Sequence, residues 1–268
     1  MTVRIGVCGA AGRMGKVILE VCKETEGVEI TAAIEHPDSP YVGLDAGAVA
    51  GINNLNVKIT DSIKNIANEV DVMIDFTLAT SIVKNIKECE SSSCRMVIGT
   101  TGLNDEAQKN IQSASKNIAI VFAPNMSIGV NLCFKLLETA ASVIGKEADT
   151  EIVEAHHRDK KDAPSGTAIR MGEIVAEKTD RDLKDCAIYG REGISNTRDK
   201  NTIGFETIRA GDIIGDHTVI FATAGERVEI SHKATSRKNF ASGAVRAALW
   251  LSEKETGLFD MQDVLNLK

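Results

Sequence analysis

Val3-Arg4-Ile5-Gly6-Val7-Cys8 is an apolar strand candidate that runs straight into Gly9-Ala10-Ala11-Gly12-Arg13-Met14-Gly15 and then into the helical pattern Val17, Ile18, Val21, Cys22. A strand, a G-x-x-G-x-x-G turn and a helix in that order form a variant of the dinucleotide fingerprint. The glycines permit a tight turn and a close backbone approach, and a pyrophosphate rests on the helix N-terminus, where N–H groups lack partners. The next strand, Val28 to Ile34, ends at Glu35, twenty residues after Gly15. An acid at that spacing accepts from adenosine ribose hydroxyls. A glycine triplet alone is weak, because Gly-rich turns are common. The whole set outweighs a mere tight turn.

The rhythm continues with strand-like runs at Asp71–Phe76, Met96–Ile98 and Ile118–Phe122, with helical patterns around Ile82–Ile86 and from Asp105 to Lys116. Such alternation predicts a parallel sheet with right-handed crossovers, and ligands bind such sheets at the carboxyl ends of the strands. Thr77, the Gly99–Gly102 turn and the Ala123–Ser127 turn fall at those ends, although each alone reads equally as ordinary loop chemistry. From Gly129 the pattern changes. A long helix from Val130 to Gly145 leads to strand-like runs at 151–155, 186–189, 204–209, 217–221 and 228–232, which predict a mixed or antiparallel sheet. The polar span from Gly190 to Asn201 is a candidate flap, and a last helix, Phe240 to Ser252, packs back on the first domain. The expected architecture is α/β: a Rossmann-type parallel-sheet domain from residues 1–127 and 237–268, plus an α+β substrate domain with a mixed sheet at 128–236.

Residues 154 to 168, Glu-Ala-His-His-Arg-Asp-Lys-Lys-Asp-Ala-Pro-Ser-Gly-Thr-Ala, bring a strand end, a cationic loop and a helix start within fifteen residues. A helix predicted from Ala168 to Lys178 holds carboxylate or phosphate at its first turn. Gly166 allows close approach, and the Ser165 and Thr167 hydroxyls offer further donors. His156, His157, Arg158, Lys160 and Lys161 gather charge beside that end, and an imidazole suits a proton donor near neutrality. Each residue alone reads equally as a solvated turn or a capped helix, and one of two adjacent strand histidines is readily a core residue. Together they describe a site for a small anion that must be protonated. His217 and His232 sit in strands and read as packing residues.

The net charge of −7 and an aromatic content of 4% argue against nucleic-acid binding. No apolar run reaches the ~18 residues that span a membrane. The chain enters its first strand without a leader pattern. Its six cysteines are scattered with no Cys-x-x-Cys pair, which fits buried thiols in a reducing cytoplasm.

Gly-Ala-Ala-Gly-Arg-Met-Gly, Asp-Phe-Thr at 75–77, Gly-Thr-Thr-Gly at 99–102, Asn-Met-Ser-Ile-Gly-Val-Asn at 125–131, Glu-Ala-His-His-Arg through Asp-Ala-Pro-Ser-Gly-Thr, and Arg-Ala-Gly-Asp at 209–212 occur in this order. With these motifs, and with the Gly-Leu-Phe-Asp-Met tail, the chain resembles the 4-hydroxy-tetrahydrodipicolinate (dihydrodipicolinate) reductase family along its whole length. The resemblance implies a homotetramer that uses NADH or NADPH, without a metal, to reduce a small cyclic dicarboxylate of lysine and diaminopimelate biosynthesis. It implies His156 as proton donor and Lys160 as a second donor or polariser. His157 and the Gly166-Thr167 backbone would grip the substrate carboxylates. Gly9, Ala10, Ala11, Gly12, Arg13, Met14, Glu35, Gly99, Thr100, Thr101, Ala123, Pro124, Asn125 and Met126 would hold the cofactor. Hydride would enter the ring carbon conjugated with the imine, leaving an enamine that needs a proton.

Two positions depart from the family pattern. His36 stands where an arginine often follows the ribose acid, so NADH is expected to be favoured at neutral to alkaline pH. Asp159 stands where relatives are often basic, and either orients Lys160 or weakens the positive field. Another dehydrogenase of the same architecture would need its own catalytic residues, and no cysteine sits in a nucleophile-like setting. An NAD(H)-sensing regulator would need a DNA-binding module or a basic face, and neither is evident.

Overall fold

The computed structural model describes residues 2–64, 66–194 and 196–268. The chain divides into two units, Met1–Ile128 with Arg237–Lys268, and Gly129–Ser236. Its elements run β1 (Val3–Cys8), α1 (Arg13–Glu24), β2 (Val28–Ile34), α2 (Ala46–Ala50), β3 (Ile59–Thr60), a 3-10 turn (Ala67–Glu69), β4 (Val72–Asp75), α3 (Ile82–Ser91), β5 (Arg95–Ile98), α4 (Asp105–Ala114) and β6 (Ala119–Phe122). They continue with α5 (Ile128–Ile144), β7 (Asp149–His156), α6 (Gly166–Lys178), α7 (Leu183–Cys186), β8 (Ala187–Tyr189), β9 (Ile203–Arg209), β10 (Gly215–Thr223) and β11 (Glu226–Ala234). The last are α8 (Lys238–Leu251), β12 (Gly257–Phe259) and α9 (Met261–Val264).

In the first unit seven parallel strands lie in the order β3-β2-β1-β4-β5-β6-β12. This is the Rossmann order with one added strand, and the direction of winding reverses beside β1. Alternate residues of one strand feed two cores. Val72 and Ile74 pack with Ile18, Leu19 and the α8 residues Ala244 and Ala248, whereas Met73 packs with Ile86 and Ile111 of α3 and α4. A strand buried on both faces is predominantly apolar, which is why Val72-Met73-Ile74 of β4 read as a hydrophobic run up to the strand's last residue, Asp75. Asn104 caps α4 by accepting from the Ala107 N–H at 2.9 Å, and Asp105 and Glu106 in the first turn complement the helix dipole.

The second unit has five strands in the order β11-β10-β7-β9-β8. The pairs β11–β10 and β10–β7 are antiparallel, and β7–β9 and β9–β8 are parallel, so the sheet is mixed. One face is buried under α5 and α6, where Ile152, Phe205, Val219 and Phe221 meet Leu137, Met171 and Val175. Val153, Ile208 and Ile220 alternate to the other face and keep solvent exposure.

Several short elements escape the sequence pattern: α2, β3, α7, β12 and α9. Cys186, expected in a strand, ends α7, whose start is capped by Asp182 accepting from the Lys184 N–H at 2.9 Å. The Gly190–Asn201 span contains no helix or strand among its described residues, and Ser195 lies outside them. Two of its arginines tie it to β7. Arg191 pairs with both oxygens of Glu151 at 2.9 and 2.8 Å, and Arg198 reaches Glu151 and Asp149 at 2.8 Å each.

All six cysteines are buried and unpaired. Burial pushes the Cys22 thiol up to about 12, and the Cys8 thiol also upward. Thiols held protonated are poor nucleophiles. Among the described residues no helix is long and apolar enough to cross a membrane.

Candidate active site

The residues expected to hold a cofactor lie along the carboxyl edge of the parallel sheet in the first unit. Gly9 takes φ +71°, a left-handed conformation costly for any residue with a Cβ. A Cβ on Gly15 would run into the Gly9 carbonyl, so the third glycine seats α1 against the turn. The N–H groups of Gly9 and Ala10 both donate to the Ile34 carbonyl, at 2.8 and 3.1 Å, and that of Ala11 donates to Glu35 Oε1 at 2.7 Å. These expected cofactor residues therefore fasten the turn to the end of β2. The open donors are those at the start of α1, at Arg13 and Met14. Its N-cap, Gly12, has no side chain to cover them. Glu35 has further lone pairs for a ribose hydroxyl beyond the bond to Ala11. A cavity of about 680 Å³ opens here, lined by Gly9, Gly12, Glu35, His36 and Thr77 among others. An uncapped helix start, a glycine turn and an acid around such a cavity fit a dinucleotide.

A buried carboxylate organises the neighbouring turns. Asp75, fully buried, accepts from Thr77 N–H at 2.9 Å and Thr77 Oγ1 at 2.7 Å, from Thr100 Oγ1 at 3.1 Å and from Asn85 Nδ2 at 2.7 Å. The Thr100 hydroxyl is thereby turned inward. Gly99 lies buried against the Phe76 ring, whereas Thr101 is exposed. At the end of β6, Ala123 and Met126 are buried, Pro124 is exposed, and the Asn125 side chain accepts from the Ser127 N–H at 2.9 Å.

The residues expected to meet a substrate lie in the second unit. His156 is the last residue of β7 and is buried, while His157 is half-buried just beyond the strand. Strand period two puts Glu154 on the same face as His156. Its carboxylate is almost entirely enclosed. Oε2 lies 2.6 Å from His156 Nδ1 and takes Arg209 Nη1 at 2.8 Å; Oε1 accepts Arg209 Nη2 at 2.8 Å and the Ser165 N–H at 3.0 Å. Burial works to raise Glu154, but Arg209 and then His156 outweigh it and hold the carboxyl below the usual range. His156 goes the other way. Burial depresses its pKa, and the Glu154 carboxylate only partly offsets that.

The neighbours keep the imidazole clear. Gly215 opens β10 with its α-carbon beside His156, and a Cβ there would come within 3.0 Å of His156 Nε2. His217 stands edge-on to His156 at 5.1 Å, and burial pushes it down to about 3, so it stays neutral while its neighbour titrates. Its Nε2 lies 2.8 Å from Ser165 Oγ, which also accepts the Ala168 N–H at 3.1 Å. The Ser165 hydroxyl, expected as a ligand donor, is a helix cap instead. Gly166 is exposed with open space beside it, so its N–H at the start of α6 is approachable. Lys160 Nζ pairs with both oxygens of Asp162 at 2.8 Å, which makes Asp162 and not Asp159 its partner. The Arg209–Asp212 turn grips this loop: Ala210 N–H donates to the His156 carbonyl at 2.9 Å, and Arg158 N–H to that of Gly211 at 3.2 Å.

Sequence reasoning missed Glu154, Arg209 and His217 as parts of the site. Only Glu154 carried a local signal, its i,i+2 spacing to His156. The other two arrive through strand register, with Arg209 opposite His156 on β9 and His217 opposite Glu154 on β10.

A Rossmann sheet with an open helix start, together with a separate unit that sets an imidazole beside another helix start, defines a dinucleotide-dependent oxidoreductase. Comparison with known proteins narrows the class. Residues 3–126 match the family model "Dihydrodipicolinate reductase, N-terminus", and residues 129–265 match "Dihydrodipicolinate reductase, C-terminus". The chain is 56% identical, over 100% of both chains, to 4-hydroxy-tetrahydrodipicolinate reductase of Methylococcus capsulatus. A dihydrodipicolinate reductase of Paenisporosarcina sp. TG-14 with dipicolinate bound superposes with a TM-score of 0.75 at 23% identity, covering 98% of this chain and 99% of that one. A myo-inositol dehydrogenase of Corynebacterium glutamicum shares the fold with a TM-score of 0.61 at 13% identity, covering 100% of this chain and 93% of its own. The fold is thus common to several dehydrogenases. The family models and the full-length relative are specific, and the chain belongs to the dihydrodipicolinate reductase family.

Proposed function

We propose that this chain reduces the dehydrated form of 4-hydroxy-tetrahydrodipicolinate to tetrahydrodipicolinate with NADH or NADPH, in lysine and diaminopimelate biosynthesis. The observation that carries the reading is one carboxylate, Glu154, holding both the His156 imidazole and the start of α6, so that an acid stands beside an anion cradle. Full-length identity with a reductase of that name supports it, as does the dipicolinate in the similar solved structure.

A bound reduced nicotinamide supplies hydride. The helix start at Arg13 and Met14, with Glu35 and the turns at Gly99–Thr101 and Ala123–Met126, binds and orients that cofactor. In the second unit, the Gly166 and Thr167 N–H groups and His157 take the substrate carboxylates, and Lys160 adds positive charge. Protonated His156 gives its Nε2 proton to the enamine carbon left after hydride addition, and recovers a proton from solvent. The mixed-sheet face of Val153, Ile208 and Ile220 is the surface we assign to a homotetramer, and the compartment we assign is the cytoplasm.

The test is consumption of reduced nicotinamide with freshly generated substrate. Turnover that dipicolinate suppresses competitively is the expected result. No substrate-dependent consumption, or equal turnover of an unrelated semialdehyde or polyol, would refute the reading.

Cofactor preference gives a finer expectation. Glu35 accepts from a ribose 2′-hydroxyl and repels a 2′-phosphate. The neighbouring His36 is exposed, with Nδ1 3.6 Å from Asp38 Oδ2. Imidazoles gain charge below neutrality. NADH should be preferred above neutrality, and the NADPH/NADH ratio of kcat/KM should rise by about 2- to 5-fold between pH 8 and 5.5, the scale of an exposed ion pair. Proton uptake by the 2′-phosphate offsets part of this. In His36→Arg the ratio should be high and nearly flat. The same ratio and slope in wild type, His36→Ala and His36→Arg would take His36 out of the ribose site.

A further inference from the structure

Both oxygens of the enclosed Glu154 carboxylate are engaged: Arg209, the Ser165 N–H and Thr207 Oγ1, at 3.4 Å, donate to them, and His156 Nδ1 lies 2.6 Å from Oε2. An ionised carboxylate only accepts. The short 2.6 Å contact therefore places a proton on His156 Nδ1 and leaves Nε2, beside Gly215, as the nitrogen that exchanges. Arg209 makes a bidentate fork on Glu154 and also donates to the Asp162 carbonyl at 2.6 Å, which ties the carboxylate to the loop carrying Lys160.

We propose that Glu154 is the positioning residue of this site: clamped by Arg209, it fixes His156 in the Nδ1–H tautomer and sets that ring in register with the anion-binding start of α6. The proposal rests on the reading of His156 as the proton donor. The charged and titratable groups facing His156 are Glu154 on its own strand, Lys160 on the following loop, Arg209 on β9 and His217 on β10. Glu154 is the one anion among them. Removing its charge leaves burial and two cations acting against the imidazolium.

Glu154→Gln keeps the shape and removes the charge. Its kcat should fall by about 100-fold, as expected when an orienting carboxylate no longer sets the imidazole tautomer. The basic limb of its kcat/KM profile should move to lower pH, while NADH affinity holds. Nitrogen-15 NMR of histidine-labelled protein, with His156 identified by its loss in His156→Gln, reads the tautomer directly. Wild type should carry the neutral-state proton on Nδ1, and Glu154→Gln should show an Nε2–H population. A wild-type ring protonated on Nε2 overturns the proposal, and so does a Glu154→Gln variant with wild-type kcat and pH profile. If Glu154→Gln does not fold, the wild-type tautomer still decides. Should His156→Gln lose activity while Glu154→Gln keeps it, the positioning role alone fails; if His156→Gln remains active, the acid assignment fails first.

Discussion

Replacing His156 by glutamine is expected to lower kcat by about 100-fold or more, the range of a lost general acid, while the NADH dissociation constant stays within about twofold. Glutamine fills similar space and still donates a hydrogen bond, but it holds no exchangeable proton near neutrality. The imidazole sits with Nδ1 on Glu154 and Nε2 beside Gly215, and all three residues belong to the second unit whereas the fingerprint residues belong to the first, so cofactor affinity should not follow it. The wild-type profile provides a second reading. If His156 is the acid, as proposed, turnover needs the charged ring and burial disfavours it, so activity should fall as pH rises through a value below the ordinary imidazole range. Steady-state rates across pH, with a fluorescence titration of NADH, measure both. A variant with near wild-type kcat would remove His156 from the chemistry.

The second large effect is on stability. Arg209→Leu should cost about 3 kcal/mol at pH 7, near the lower end for breaking a buried ion pair, because the Arg209 side chain keeps 20% exposure while that of Glu154 keeps 1%. In the wild type Glu154 lies below the ordinary carboxylate range. Its pairing is therefore present in full above that range and is lost as pH falls through the depressed value. Without Arg209, burial raises the Glu154 pKa, so the variant takes up a proton on folding. Its deficit should be largest near neutrality and shrink toward about pH 4, close to the ordinary glutamate value. Urea unfolding at both pH values would show this. A deficit independent of pH would mean that Arg209 acts through packing alone.

What was legible in the chain was local. The glycine turn, the acid after β2 and the strand-helix rhythm each occupy a few consecutive residues, and they place the parallel sheet and its ligand edge. The two-residue β3 and the three-residue β12 are too short to show any period, and they owe their pairing to Ala33–Ile34 and to Ala119–Val121. The site is read less completely, because its geometry is assembled across distance. Arg209 lies fifty-five residues from Glu154 in the chain, and only the parallel register of β7 on β9 brings the guanidinium to the carboxylate. His217 looked like packing, and it does pack, yet its ring also walls in His156. Ser165 shows the same ambiguity from the other side: the hydroxyl that a loop reading offers to a ligand is spent on the Ala168 N–H.

The first unit is interrupted by the second, and that has a bearing on how the chain is made. Ala241, Ala244, Val245, Ala248 and Leu251 of α8 share one core with Val7, Ile18 and Val121, and β12 adds the edge strand beside β6. In chain order β1 to β6 all precede α8, which covers one of their faces together with α1. Residues 129–236 are continuous and carry their own core, so every residue of that core precedes α8 in the chain. The parallel sheet therefore lacks α8 until residues 129–236 have been made, and until then the face bearing Val72 and Ile74 has the α1 side of its core alone to pack against.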